Sequence, residues 1–273
     1  MTGTSRYRLL LALLPSMAVA MTMPFTPTAA EAGATSVLEA LFGDEASRRA
    51  FARQSLSLRQ VTEDLGISPS DRRATELTYG EFSSDFFFEL LQLAAPVVGE
   101  RFCDVGSGCG RLVLAAALTQ PWELASGVEL LPSLHSIAID SHAQLSTLVE
   151  GEDDLPALAP CEFVCGEADD ELPRLLGCPA RHVVFVYATA WRSTGPLLTE
   201  LSRTLGRSLP VGSRVITIDK QLVSDDSANA EWAFELLHPP VERSNYNTFS
   251  SVGYVYERVD GGCGGGERKR MIS

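Results

Sequence analysis

An apolar, strand-forming run, Phe102-Cys103-Asp104-Val105, leads into a loop with glycine at every second position, Gly106, Gly108 and Gly110. The helix-forming run Leu112 to Leu118 follows at once. A strand, a glycine loop and a helix in that order let backbone approach a nucleotide-like ligand closely. The spacing narrows the ligand. Dinucleotide loops read G-x-G-x-x-G and cradle a pyrophosphate at the helix N-terminus. Here the pattern is D-x-G-x-G-x-G, with Asp104 directly before the loop. A carboxylate there repels a phosphate and suits a ligand with cationic and hydroxyl groups.

The rest of the chain alternates strand and helix around that unit. Strands are expected at Phe102–Val105, Leu124–Glu129, Glu162–Cys165, Val183–Tyr187 and Arg214–Asp219, and helices at Leu112–Leu118, Leu134–Val149, Glu171–Leu176 and Leu197–Leu205. Such alternation implies βαβ units and a parallel sheet covered on both faces. Ala233–Glu242 and Ser251–Val259 follow with no helix between them, so an antiparallel hairpin is expected at the sheet edge. A mostly parallel sheet of seven strands closed by such a hairpin is the Rossmann-like class I methyltransferase fold. Upstream, Val37–Phe42 and Phe51–Val61 carry apolar residues at helical spacing. After the break at Tyr79-Gly80-Glu81, a helix is expected over Phe86–Leu93, ending before Pro96. The expected organisation is a signal-like segment over 1–20, a linker over 21–35, a helical extension over 36–75, a catalytic domain over 76–260 and a disordered Gly-rich tail over 261–273.

In an open parallel sheet, ligands bind at the carboxyl ends of the strands. The candidates fall there. Asp104, Gly106, Ser107, Gly108 and Gly110 form the loop. Glu129 ends the second strand and is placed to accept ribose hydroxyls. Glu167 follows the third, where an acid can accept from an adenine amino group. Tyr187 and Trp191 follow the fourth, on the side of the reacting methyl, and are the candidate catalytic residues. A ligand with an ammonium, a sulfonium, a ribose and no phosphate is S-adenosylmethionine, and this is the expected cofactor.

Composition bounds the partners. The 273 residues carry a net charge of −13, which argues against strong sequence-independent binding to nucleic acid. Arg6 and Arg8, the apolar run from Leu9 and the small-x-small Ala18-Val19-Ala20 read as a cleavable targeting signal, too short to span a membrane. Endomembrane or plastid localisation is the expectation, with nucleus or cytoplasm as the alternative. Cys103, Cys109, Cys161, Cys165, Cys178 and Cys263 show no compact disulfide framework. Cys161 and Cys165 would lie about 13 Å apart in an extended strand, and the histidines lack metal-ligand spacing, so no metal site is expected. Cys103 and Cys165 are both expected in buried strands.

Taken together, Tyr79-Gly80-Glu81 with Asp85, then D-V-G-S-G-C-G, Gly127-Val128-Glu129, Val183-Val184-Phe185-Val186 and Gly195-Pro196, resemble the disruptor-of-telomeric-silencing family of non-SET histone lysine methyltransferases, over about residues 76–220. The resemblance implies that Tyr79 and Glu81 join the cofactor site through a loop folding over it. It gives Glu129 and Glu167 the ribose and adenine roles, and makes a protein lysine the methyl acceptor. The chain departs from the family where the acceptor binds. Phe82 stands where a threonine follows Y-G-E, and Tyr187-Ala188 where an asparagine pair follows strand four. Two alternatives stay open: a small-molecule methyltransferase in a plastid or other organelle, and a non-catalytic domain that binds the cofactor or a protein.

Overall fold

The computed structural model describes residues 25–44, 46–48, 57–71, 74, 82–149, 157–188, 193, 195–245 and 249–262. The targeting-like segment, Tyr79-Gly80-Glu81, Trp191 and the tail beyond Gly262 lie outside the described residues.

Parallel strands β1 (Arg101–Val105), β2 (Leu124–Glu129), β3 (Cys161–Cys165), β4 (His182–Tyr187) and β5 (Arg214–Ile218) lie in the order β3-β2-β1-β4-β5. β1 is central, with Asp104 in register with Gly127 on one side and Phe185 on the other. Side chains alternate between two apolar layers, as a sheet covered on both faces requires. Phe102, Val183, Phe185 and Ile216 pack into one layer; Cys103, Val105, Val184, Val186 and Val215 pack into the other. Helices α1 (Ala29–Phe42), α3 (Ser84–Leu93), α4 (Arg111–Thr119) and α5 (Pro132–Val149) contribute to the first layer. Helices α6 (Ala168–Leu176) and α7 (Thr199–Ser208) cover the second. The short α2 (Leu58–Leu65) precedes α3 in the chain.

The C-terminal strands refine the expected hairpin. The segment 233–242 is two strands, β6 (Trp232–Leu236) and β7 (Val241–Asn245), and both pair antiparallel with the long β8 (Phe249–Asp260). They lie end to end on one side of β8, while β5 pairs antiparallel with its other side. The sheet thus has seven positions and eight strands. The break follows from Pro239-Pro240: the Leu237 N–H still reaches the Val255 carbonyl at 2.9 Å, but two prolines have no N–H to continue the ladder. Gly253 of β8 is where α3 touches the sheet; a Cβ there would lie 2.6 Å from Leu90 Cδ2.

The N-terminal extension also differs from expectation. α1 begins at Ala29, inside the stretch read as a linker. A capping box fixes the start: Thr28 Oγ1 accepts the Glu31 N–H, and the Thr28 N–H donates back to Glu31 at 2.7 Å. The Gln92 amide of α3 also donates to the buried Glu31 carboxylate at 2.9 Å, and Ala34 and Leu38 sit in the main core. Cys165, expected buried, is exposed, because it ends a strand at the sheet edge. Cys103, on the central strand, is fully buried. The described cysteines are free thiols. Among the described residues no helix is long and apolar enough to cross a membrane.

Candidate active site

The carboxyl ends of β1, β2, β3 and β4 bring the loop, Glu129, Glu167 and Tyr187 to one edge of the sheet. The loop turns through left-handed backbone at Gly106 (φ +82°), Gly108 (+55°) and Gly110 (+81°), a path that side chains with a Cβ resist. Gly106 and Ser107 both donate N–H bonds to the Val128 carbonyl at 2.9 Å, which ties the loop to β2. Gly127 makes this approach possible; a Cβ there would lie 2.6 Å from Ser107 Oγ. Gly110 plays the same part toward β3 and α5, where a Cβ would lie 2.7 Å from the Phe163 ring and 2.9 Å from Ala138.

Two acids stand against this loop. Glu129, 8% exposed, accepts the Gly108 N–H at 2.7 Å on one oxygen and the Leu131 N–H at 2.9 Å on the other. Each oxygen keeps a lone pair for a further donor, which fits the two hydroxyls of a ribose. Burial pushes the Glu129 carboxyl above its ordinary range, and its backbone N–H partners oppose that. Asp104 is 3% exposed, and among the described residues no donor hydrogen-bonds its carboxylate. Burial first, then the neighbouring Glu129, push its carboxyl up to about 8, with Arg111 opposing. A buried carboxylate without a protein donor is strongly favoured by a ligand that brings a positive charge. The ammonium and sulfonium of S-adenosylmethionine meet that requirement, so the residues present fit the cofactor.

Glu167 is less committed. It is exposed at the N-cap of α6, where its carbonyl accepts the Asp170 and Glu171 N–H groups at 3.1 Å and its side chain makes no capping bond. Tyr187 ends β4 half-buried, its ring centroid 5.1 Å from that of Phe82. Phe82 and Tyr187, two departures from the family pattern far apart in sequence, thus meet in space. Tyr79, Glu81 and Trp191 lie outside the described residues.

Two participants carried no obvious sequence signal. Arg111, at the start of α4, is buried and donates to the Phe82 carbonyl and, at 2.9 Å, to the Ser84 hydroxyl, and its charge favours ionisation of Asp104. An arginine directly after a glycine loop reads as an ordinary exposed helix residue until the segment over it is placed. Asp64, in α2, accepts from the Ser133 N–H at 3.2 Å and from the Ser133 hydroxyl. Val61, Leu65 and Ile67 pack with Leu131 and Leu134, just beyond Glu129. Part of the extension therefore borders the Glu129 side of the site. Among the described residues no group of His, Cys, Asp and Glu could hold a metal ion.

A parallel sheet in this order, closed by antiparallel strands, with a glycine loop and buried acids after its first two strands, defines a class I S-adenosylmethionine-dependent methyltransferase. Residues 70–231 match the family model described as "Histone methylation protein DOT1". That is more than half of the 273 residues, and the chain belongs to this family. No curated protein matches the chain in sequence. Among solved structures, an RNA methyltransferase from Salinibacter ruber in complex with S-adenosyl-L-homocysteine is similar at 20% identity and a TM-score of 0.38, over 65% of this chain and 93% of that one. A putative methyltransferase from Escherichia coli is similar at 20% identity and a TM-score of 0.44, over 65% and 88% of the two chains. A putative RNA methyltransferase from Pyrococcus horikoshii is similar at 13% identity and 0.44, over 74% and 95%. Likeness at this level says nothing of the methyl acceptor.

Proposed function

We propose that the protein transfers a methyl group from S-adenosylmethionine to the side-chain amine of a protein lysine, with a histone as the first candidate. The observation that carries this reading is the family match over residues 70–231. The acidic chain, at −13, suits a cationic acceptor surface.

When bound, the cofactor supplies an electrophilic methyl on a sulfonium. The chain's own work is mainly alignment. Asp104 would face the positive end of the cofactor, and Glu129, held by two backbone N–H groups, would accept from its ribose. Tyr187, at the end of β4, would offer a π face to the positive charge on the methyl donor and acceptor. The acceptor amine must arrive unprotonated to attack, so turnover rises with pH as more of it is neutral.

The test incubates the full chain with radiolabelled S-adenosylmethionine and either nucleosomes or fractionated cell extract. Label on a histone or other protein lysine is expected. Label confined to a small organic fraction would replace this reading with a small-molecule methyltransferase. Cofactor binding with no label anywhere would favour a non-catalytic binding domain.

A further inference from the structure

Arg111 is costly where it stands. It is 5% exposed and begins a helix, where the backbone already presents partial positive charge. Hydrogen bonds offset that cost: Nη1 donates to Ser84 Oγ at 2.9 Å and Nη2 donates to the Phe82 carbonyl, and the positive charge in turn favours the ionised Asp104 carboxylate. The segment it grips, Phe82 to Ser84, follows Tyr79-Gly80-Glu81 directly in sequence.

Phe82 is held at both ends. Its carbonyl is bound by Arg111, and its side chain is 1% exposed. The ring stacks on Phe86 (centroids 5.3 Å apart, planes at 27°) and leans on Phe185 at 5.4 Å and Tyr187 at 5.1 Å. One residue therefore connects the helix behind the glycine loop to the last ring of β4.

We propose that Arg111 and Phe82 are positioning residues forming a latch, which fixes the acceptor-side ring of Tyr187 relative to the methyl-donor cradle at Asp104. The proposal rests on the methyltransferase reading of the site. It assigns no contact with substrate to either residue. The latch has a hydrogen-bonded half, Arg111 on the Phe82 carbonyl and the Ser84 hydroxyl, and a packing half, Phe82 against Tyr187. Among the described residues, the charged groups that bear on Asp104 are Glu129, which disfavours its ionisation, and Arg111, which favours it. The two halves are separable by experiment.

The test measures binding of S-adenosylhomocysteine by calorimetry from pH 6 to 9 for the full chain and for Arg111→Met, Arg111→Lys and Phe82→Leu, with hydrogen exchange followed at the end of β4. The unaltered chain is expected to bind more tightly as pH rises and Asp104 ionises. Arg111→Met should move that rise upward by about one pH unit, and Arg111→Lys should restore most of it. Phe82→Leu should leave the pH profile in place. Both Arg111→Met and Phe82→Leu should speed exchange at Tyr187 and Ala188. A merely structural arginine would weaken binding without moving the pH profile. An unmoved profile in Arg111→Met, or wild-type exchange at Tyr187 in both variants, overturns the latch. If the unaltered chain fails to bind, the cofactor site itself is wrong, and the exchange measurement still decides the latch.

Discussion

Asp104 makes the site sensitive to pH. Its carboxyl stands at about 8 in the fold, against about 4 in an unfolded chain. Between those values the folded protein holds a proton that the unfolded chain has released. Stability of the ligand-free protein should therefore fall as pH rises from 4 to 8, by up to about 1.4 kcal/mol per unit from this group. Asp104→Asn should flatten that slope and raise the melting temperature at pH 8 while removing cofactor affinity; thermal melts across pH and a binding isotherm measure both. Tyr187 makes the complementary prediction on the acceptor side. Tyr187→Phe keeps a π face and should keep most turnover, whereas Tyr187→Ala should lower kcat by tenfold or more, roughly 1.4 kcal/mol. Full turnover in both variants would remove Tyr187 from the mechanism. The sequence exposed both residues, because a strand end beside a glycine loop is a positional signal. It did not expose Arg111, whose role depends on a carbonyl contributed by a different element.

Among the elements, α3 is fastened at both ends. Its start is fastened through Arg111. Its end is fastened by Arg214 of β5, which donates to the carbonyls of Ala94 at 2.9 Å and Ala95 at 3.2 Å and pairs with the buried Glu100. Burial alone would push the Glu100 carboxyl up, but Arg214, the Val97 N–H and Arg181 hold it below the usual carboxylate range. Its contribution to stability is thus present above the unfolded value and lost as pH falls through the folded one. Arg214→Met leaves the buried Glu100 with only the half-exposed Arg181 and the Val97 N–H as partners and should cost about 3 kcal/mol in chemical denaturation, with acid sensitivity reduced. A loss under about 1 kcal/mol would show that the pair is no more than a surface salt bridge in effect. Arg214 was legible only as a strand residue; its partner lies in a turn more than a hundred positions earlier.

For the whole molecule, the proposed targeting signal is open to a direct test. Residues 1–35 fused ahead of a fluorescent protein should carry it into an organelle, and diffuse cytosolic fluorescence would remove that expectation. The strand and helix order, the parallel sheet and the methyl-donor loop were all readable from the chain, because hydrophobic period, glycine spacing and the positions of Asp104 and Glu129 are local properties. Where those local signals are weak, sequence left the wrong boundary: α1 starts at Ala29 because Thr28 and Glu31 cap it and its apolar face meets the core. The expected hairpin strand became β6 and β7 because Pro239-Pro240 cannot donate to the ladder. The D-x-G-x-G-x-G loop thus determined by itself that the chain holds a cationic, phosphate-free cofactor at the edge of a parallel sheet. Only the tertiary structure decided that Asp104 is buried with no hydrogen-bond donor among the described residues, that Arg111 holds the Phe82 carbonyl, and that Phe82 meets Tyr187. Burial and long-range charge pairing depend on which elements are brought together, and no stretch of sequence records that by itself.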